Sequence, residues 1–263
     1  MNRRKTDACP EQGANPAVAA IICAAGASAR METPAGAPVG GSVKKEYRLL
    51  SGGLTVLGAA VSAFAAVPAI KTIVIAVPAD PETGEAAARK ALPPEFLAGE
   101  KGPAILFVCG GATRRASVFN ALSLLADYAP DFVLIHDGAR PWVSPSLIKR
   151  IIDGAKKYRA VIPLLPLTET PKETDIPLDS SGTNPVFIQR HIKRAFMGAA
   201  QTPQGFAFPE ILAAHRQAAI QEESAHVEFT DDAEVWASFC GPVAAISGES
   251  ENRKITFPED LVC

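Results

Sequence analysis

Short apolar runs that alternate with helical stretches constrain the fold of this chain more than any other feature. Apolar runs of this length are typical of strands buried on both faces of a sheet. The predicted strands start with a run that opens at Ala20 and continue at residues 70–77, 104–109, 131–137, 160–166 and 242–247. The predicted helices cover residues 54–67, 81–92, 113–128, 144–157, 209–222 and about 230–239. This alternation predicts an α/β fold with a mostly parallel sheet covered by helices on both faces.

Three of the predicted strands are followed by loops rich in small or charged residues. The first loop holds the small residues 24–29 and ends at Arg30, the second contains Gly111, and the third begins at Asp137. Ligands of open α/β sheets bind at the carboxyl ends of the strands, so these loops can meet at one edge. Small residues let backbone N–H groups cradle an anion, and the arginine fork matches phosphate. Alone, the first loop equally fits an ordinary turn, but the convergence favours a phosphate site.

The charged residues near these loops suit a nucleoside triphosphate. Arg30, Lys45 and Lys254 supply cations, and Asp137 ends a strand in the way that suits Mg²⁺. Positioning and charge stabilisation carry most phosphoryl-group chemistry, so no protein nucleophile is required. The sequence contains neither G-x-x-x-x-G-K-[ST] nor G-x-G-x-x-G. This absence disfavours a Walker NTPase and an ordinary NAD enzyme.

Composition narrows the class of partner and the compartment. The 26 basic and 28 acidic residues give a net charge of −2, which removes the general electrostatic argument for binding nucleic acid. The five cysteines form no C-x-x-C pair, which favours free thiols in a reducing cytoplasm over a zinc site. No run approaches the roughly 18 apolar residues of a membrane span, so no membrane association is expected.

The chain divides into a leader, a body and an arm. Residues 1–16 are predicted to be a disordered leader, and residues 17–263 a single nucleotidyltransferase domain. A secretory signal is disfavoured, because a polar segment at 6–15 separates the basic start from the apolar run and cleavage would remove the first strand. Residues 167–192 are too long for a plain connection and predict an arm that leaves the body.

Seven motifs, in order, carry a resemblance to a known family. They are Ala24–Met31, Lys45–Tyr47, Gly110–Val118, His136–Pro141, Gln201–Phe206, Thr230–Ala233 and Asn252–Thr256. Together they resemble the 2-C-methyl-D-erythritol 4-phosphate cytidylyltransferases of the non-mevalonate isoprenoid pathway, over about residues 18–262. The resemblance implies a Rossmann-like three-layer sandwich with a protruding β-arm that exchanges between the subunits of a homodimer.

The resemblance also implies a reaction and a set of site residues. The 4-phosphate of methylerythritol phosphate attacks the α-phosphorus of CTP, and pyrophosphate leaves. Arg30 and Lys45 match residues that stabilise the charged transition state, and Lys254 matches a second phosphate-binding lysine. The positions that match those holding cytosine and ribose are Ala24, Ala25, Gly26, Ala27, Gly111 and Ser117.

The same resemblance implies which residues bind the sugar phosphate. Asp137 matches the position near Mg²⁺ and the sugar phosphate, and Arg140 lies in the same motif. Thr170 and Arg190 of the arm reach into the other subunit's site and hold the methylerythritol phosphate. Thr202 is a further candidate for contact with the substrate.

The chain departs from the family pattern in places, and two alternatives stay open. Glu46 stands where the family usually has glutamine, and Gln189 replaces the aspartate that usually precedes Arg190. One alternative is a related cytidylyltransferase for another alditol phosphate such as ribitol 5-phosphate, which the arm would decide. The other is a catalytically inactive, dimeric nucleotide-binding protein, against which the presence of Arg30, Lys45 and Lys254 argues.

Other charged residues in or near the motifs are expected to have structural roles or to lie in solvent. Lys44 is expected to be solvated, and so are Arg114 and Arg115 unless one of these arginines meets the triphosphate. Asp231 and Asp232 are expected to cap a helix. The histidines at 136 and 215 are expected to pack or hydrogen-bond without a catalytic role.

Overall fold

The structure is a computed structural model that describes residues 16–26, 43–80, 84–98, 102–178, 185–225 and 228–261. Its strands are β1 Val18–Cys23, β2 Ile70–Val77, β3 Ala104–Cys109, β4 Phe132–Asp137, β5 Ala160–Pro166, β6 Lys172–Thr174, β7 Ile188–His191, β8 Gly198–Ala200, β9 Gln204–Ala207 and β10 Ala244–Ser247. Its α-helices are α1 Val56–Ala65, α2 Glu85–Ala91, α3 Arg114–Leu125, α4 Pro145–Tyr158, α5 Phe208–Ala225 and α6 Asp232–Phe239. Apart from Pro16, the expected leader lies outside the described residues. Within these ranges, no helix combines the length and apolar character that a membrane crossing requires.

Eight of the described strands form one sheet, in the order β10-β5-β9-β4-β1-β2-β3, with β8 paired to β5. The pairs β1–β2, β1–β4, β2–β3 and β10–β5 are parallel. Strand β9 runs antiparallel to both β4 and β5. The prediction of a mostly parallel sheet is therefore confirmed, while β8 and β9 were not predicted. Both are short, and β9 has no β-branched residue to mark it as a strand.

Two layers of helices cover this sheet, and β1 shows how one strand serves both. Its residues Val18, Ala20 and Ile22 pack in the core beneath α1 and α4. The alternate residues Ala19 and Ile21 pack in the core beneath α3 and α5. Successive side chains of a strand point to opposite faces, so a central strand must be apolar throughout. The three-layer α/β prediction is confirmed.

Three of the predicted helix starts are confirmed by side-chain caps. Thr113, Ser144 and Asp231 each accept a hydrogen bond from a backbone N–H three residues further along the chain. Such caps satisfy donors that a helix leaves unpaired at its first turn. The end of α6 is marked by Gly241 with φ +132°, a conformation that glycine adopts without strain.

The predicted arm is a small antiparallel sheet of its own. β6 pairs with β7, Lys172 lying opposite His191. The arm leaves large apolar side chains in solvent, with Leu178 76% and Phe187 72% exposed. Phe196, just beyond β7, is 83% exposed. These three side chains are among the exposed large apolar groups of the described residues.

Replacing Gly205 by alanine should destabilise the fold. A methyl group at Gly205 of β9 would lie 2.7 Å from Cγ2 of Ile151 on α4. We expect Gly205→Ala to lower the free energy of unfolding by about 1–3 kcal/mol through overpacking, measured by urea denaturation. Gly52→Ala is the matched control, because a methyl group there meets nothing within 4 Å. Equal effects of the two substitutions would contradict the packing argument.

Candidate active site

The loops after β1, β3 and β4 come together at the carboxyl edge of the sheet. A methyl group on Gly110 would clash with Cβ of Ala25 and lie 2.9 Å from Oγ of Ser117. Gly138 donates its backbone N–H to the carbonyl of Cys23 at 2.9 Å. The predicted convergence is confirmed, and at Gly110 it depends on a residue without a side chain.

The predicted nucleotide-binding residues form two short backbone loops at this edge. Ala24 is buried and donates its N–H to the carbonyl of Ala76 at 2.8 Å, whereas Gly26 is exposed. Ser117 Oγ accepts from the N–H of Gly111 at 3.0 Å and donates to the Thr113 carbonyl at 2.9 Å. Ser117 therefore closes the loop ahead of α3. Two predicted site residues, Ala27 and Arg30, lie outside the described residues.

Asp137 ends β4 among three cations. Its Oδ2 lies 2.9 Å from Lys254 Nζ and 3.7 Å from Arg140 Nε, and its Oδ1 lies 3.2 Å from Arg114 Nε. Burial raises the pKa of Asp137, but Arg114 and Lys254 outweigh it and hold the pKa well below its usual range. The carboxylate is therefore ionised at neutral pH. The expectation that Arg114 is solvated is wrong, because this ion pair holds its guanidinium against β4.

Behind Arg114 lies a fully buried acid–histidine pair. Asp232 Oδ2 is 2.8 Å from Arg114 Nη1, and Asp232 Oδ1 is 3.2 Å from His215 Nε2. Asp232 and His215 are both 0% exposed. Asp231 caps α6 as expected, but the expectation for Asp232 is wrong because its side chain turns inward to the ion pair. A sequence signal existed, since His215 interrupts the apolar face of α5.

The two neighbouring lysines reach different parts of the site. Lys45 Nζ donates to the carbonyl of Ile255 at 3.0 Å, beside Lys254. Lys44 is 7% exposed, and its Nζ donates to the carbonyl of Gly26 in the first loop. Burial lowers the pKa of Lys44. The expectation that Lys44 is solvated is wrong, because its side chain spans back to the first loop.

Thr202 and His136 support Asp137 from behind. Thr202 is buried, and its Oγ1 accepts from the N–H of Asp137 at 3.0 Å and lies 3.0 Å from His136 Nδ1. His136 Nε2 lies 3.1 Å from the carbonyl of Arg140, and the ring packs on Phe64. This pattern assigns Nδ1 as the acceptor and Nε2–H as the donor of a neutral imidazole. His136 hydrogen-bonds and packs as expected, while substrate contact by Thr202 stays a prediction.

The segment that carries Lys254 is held by Arg140, a predicted site residue, and by Gln201 and Asn252, which were not predicted as site residues. Arg140 Nη1 donates to the carbonyl of Asn252 at 2.7 Å. Gln201 Nε2 donates to the same carbonyl at 3.1 Å, and Asn252 Nδ2 donates to the carbonyl of Thr202 at 2.8 Å. Asn252 and Gln201 are buried, so these bonds fix the approach of Lys254 to Asp137.

Comparison with known proteins identifies the family. The sequence model described as "IspD: 2-C-methyl-D-erythritol 4-phosphate cytidylyltransferase" matches residues 18–263. The chain belongs to this family. It is 41% identical over 249 residues to the "Bifunctional enzyme IspD/IspF" of Bradyrhizobium sp. (strain ORS 278), covering 93% of this chain and 54% of that protein. The chain thus spans about half the length of the curated relatives that it matches.

Solved structures show the same architecture in other IspD-family members. One is a 4-diphosphocytidyl-2C-methyl-D-erythritol synthase from Anaerococcus prevotii, with a TM-score of 0.71, 25% identity and coverage of 94% of this chain and 93% of that chain. Another is the 2-C-methyl-D-erythritol 4-phosphate cytidylyltransferase from Thermus thermophilus, with a TM-score of 0.65, 30% identity and coverage of 93% and 95%. The Rossmann-like fold prediction is confirmed.

The arm residues of this IspD-family chain stay apart from the Asp137 cluster within one subunit. Arg190 Nη2 pairs across the arm with Glu173 Oε2 at 2.7 Å, and both side chains are largely in solvent. Thr170, ahead of β6, is exposed. The described ion pairs of Asp137 come from Arg114, Arg140 and Lys254, so the arm residues are not brought to it in the single chain.

The acidic and histidine residues that the structure describes do not form a resident metal centre. Across the described ranges, no group of three His, Cys, Asp or Glu side chains comes together as metal ligands would. Both oxygens of Asp137 already face cations. The donor set fits a divalent ion that arrives with phosphate oxygens, because Mg²⁺ commonly keeps water and takes substrate phosphates with one or two carboxylates.

His136 should make the protein sensitive to mild acid. Burial lowers the pKa of His136 from 6.5 to about 4. Between these pH values, the imidazole is protonated in the unfolded chain and neutral in the folded chain. Stability is then lost as the pH falls from about 6.5 to about 4, by about 3 kcal/mol. Urea denaturation of a His136→Gln variant over this range should show a correspondingly shallower loss. The exposed His191→Gln should retain the wild-type slope, and an unchanged slope in His136→Gln would contradict the assignment.

Proposed function

We propose that this chain transfers CMP from CTP to 2-C-methyl-D-erythritol 4-phosphate, giving 4-diphosphocytidyl-2-C-methyl-D-erythritol and pyrophosphate. The observation that carries the proposal is the cluster of Lys254, Arg114 and Arg140 around Asp137, at the edge where the loops after three strands meet. Membership of the cytidylyltransferase family supports the same reaction.

CTP is the co-substrate in this proposal. The small-residue loop of Ala24, Ala25 and Gly26, with Ala27 beyond it, faces the loop of Gly111 across the contact at Gly110. Ser117, which holds that loop closed, keeps backbone groups in place for the cytosine and ribose. A tight backbone site favours a pyrimidine over a larger purine. Arg30 completes the proposed contact with the triphosphate.

The chemical step is one displacement at phosphorus. An oxygen of the sugar 4-phosphate forms a bond to the α-phosphorus of CTP, while the bond to the bridging oxygen of the β-phosphate breaks. Pyrophosphate takes the electron pair, and no proton transfer to the protein is needed. Lys45, Lys254 and Arg30 offset the charge that gathers on the phosphate oxygens, which is the main catalytic demand of such a step.

The acceptor binds on the Asp137 side of the site. Lys254 and Arg140 are cations suited to its phosphate, and Asp137 accepts from its hydroxyl groups. The hydroxyl oxygen of Thr202 accepts a hydrogen bond from the backbone N–H of Asp137, so Thr202 lies beside the proposed acceptor site. Mg²⁺ would be held by triphosphate oxygens with Asp137 as a nearby carboxylate, and it would neutralise phosphate charge when bound.

The active unit is proposed to be a homodimer formed through the arm. The apolar side chains Leu178, Phe187 and Phe196 are more than 70% exposed in one subunit. A second copy of the chain would cover this surface, and the exchange would bring Thr170 and Arg190 to the acceptor in the other subunit's site.

The enzyme is proposed to act in the cytoplasm, where the free thiols of Cys23, Cys109 and Cys240 would stay reduced.

The reaction is tested by pyrophosphate release with CTP and Mg²⁺, with methylerythritol phosphate and ribitol 5-phosphate offered in parallel. We expect turnover with methylerythritol phosphate. Lys45→Gln and Lys254→Gln should each lower kcat/KM by about 100-fold, because each removes a cation from the displacement. Lys71→Gln, at an exposed lysine of β2, should leave the rate unchanged.

Other outcomes of that assay would redirect the proposal. Turnover with ribitol 5-phosphate alone would mean that the arm of this chain has a different acceptor. CTP binding without turnover of either acceptor would favour the inactive nucleotide-binding protein.

Arm exchange is tested by mixing two inactive variants. An Arg190→Ala subunit lacks the arm cation, and a Lys45→Gln subunit lacks the body cation. If the arm acts in the other subunit's site, each mixed dimer contains one intact site. Statistical reassociation should then restore about a quarter of the wild-type sites. No recovery after verified subunit exchange would show that Arg190 acts within its own chain.

A further inference from the structure

Arg114 occupies an unusual position between two carboxylates. Its Nε lies 3.2 Å from Asp137 Oδ1, and its Nη1 lies 2.8 Å from Asp232 Oδ2. The guanidinium is planar, so contacts to two of its nitrogens fix its orientation as well as its position. Asp232 is in turn 3.2 Å from His215 Nε2. The contacts form a chain from the interior beneath α5 and α6 to the edge that holds Asp137.

The burial of this chain of contacts shows that it is fixed from within. Asp232 and His215 are 0% exposed, whereas the side chain of Arg114 is 32% exposed. Burial raises the pKa of Asp232, but Arg114 outweighs it and holds the pKa below its ordinary value. A buried carboxylate must be paired, so Asp232 and Arg114 depend on each other.

The charges at the site explain why Arg114 needs an inner anchor. Arg114, Arg140 and Lys254 all face Asp137, so three cations compete for one carboxylate. Without Asp232, Arg114 would be held by Asp137 alone and could turn its exposed end toward a bound phosphate. Asp137 would then lose the contact that fixes Oδ1 while Oδ2 meets Lys254.

The neighbouring arginine provides a contrast. Arg115 also lies in the first turn of α3 and also pairs with a carboxylate, Glu222 of α5, at 2.5 Å. That pair lies outside the chain of contacts that leads to Asp137. Helix α3 thus carries one ion pair that is linked to the site, through Asp232 of α6, and one to α5 that is not.

We propose that Asp232 and His215 are positioning residues that act through Arg114 to orient Asp137 toward Lys254 and the acceptor phosphate. This inference rests on the proposed cytidylyl transfer, because it assigns the acceptor side of that reaction to Asp137. Asp232 holds Nη1 of Arg114, and His215 Nε2 lies 3.2 Å from the other oxygen of Asp232. Neither residue touches the substrate.

The test separates the Michaelis constants of the two substrates. In Asp232→Asn, the KM for methylerythritol phosphate should rise by about tenfold or more, because displacement of a positioning group by an ångström has effects of this size. The KM for CTP should stay within about twofold, because the nucleotide loops have their own anchors. A purely structural defect would lower the active fraction and leave both constants unchanged. Asp231→Asn, which can keep the cap through its amide oxygen and loses only the acceptor for Gln204 Nε2, is the control.

A second pair of variants covers the case in which Asp232→Asn does not fold. Arg114→Lys keeps the charge but cannot contact both carboxylates in the same plane, so it should give the same acceptor-specific rise in KM. Arg115→Lys is its matched control and should give wild-type constants. Unchanged acceptor KM in Arg114→Lys, or an equal change in Arg115→Lys, would overturn the inference.

A crystal structure of a folded variant gives a readout that needs no turnover. In Asp232→Asn or Arg114→Lys, the contact between residue 114 and Asp137 Oδ1 should be lost. Retention of the Asp137 and Lys254 geometry in both variants would overturn the inference. Failure of the wild-type protein to turn over methylerythritol phosphate would instead count against the proposed reaction, and the crystal structures would still decide the positioning.

Discussion

The ionised carboxylate of Asp137 is the centre on which the site depends. It ends a strand in the middle of the sheet and is 8% exposed, so its charge would be costly without partners. Arg114 comes from α3, Arg140 from the loop after β4, and Lys254 from near the end of the chain. Their attraction to one carboxylate draws three parts of the chain to the same edge. The cations of the site are therefore held apart and in place before any phosphate binds.

Close backbone packing is the second condition for this arrangement. Gly110 and Gly138 lie where a methyl group would meet Ala25 or the Cys23 carbonyl at less than 3 Å. The first loop can therefore contact its neighbours on both sides only because these positions lack side chains. Lys44 adds a tie from outside, through the carbonyl of Gly26. Packing and charge thus fix different parts of the same edge, the proposed nucleotide loops by backbone contact and the proposed acceptor side by ion pairs.

Local sequence patterns predicted most of the fold and less of the site. β2 and β3 were predicted to the residue, and the caps Thr113 and Ser144 marked their helices, because these features depend on neighbours in the chain. β9 was missed because its stability comes from pairing with β4 and β5 and from the fit of Gly205 against α4.

The errors in the site have a related cause. Arg114 and Asp232 lie 118 residues apart in the sequence, and no local pattern indicates that two such charges are buried together. Lys44 was assigned to solvent because a lysine pair usually is solvated, but its partner is a carbonyl 18 residues earlier. Arg30 and Ala27 lie outside the described residues, so their assigned roles remain predictions.

Exposure divides the cations of this site into two kinds. The side chain of Arg140 is 12% exposed and its bonds to Asp137 and Asn252 are internal, so moving it would leave buried groups unpaired. The side chains of Lys254 and Arg190 are 37% and 71% exposed. Exposed ion pairs contribute little to stability, so Arg190 can exchange Glu173 for a phosphate at small cost, whereas the partner of Lys254 is the buried carboxylate of Asp137. In the proposed reaction with two anionic substrates, the fixed cations would set the geometry of the site, and the exchangeable Arg190 would meet the acceptor as it binds.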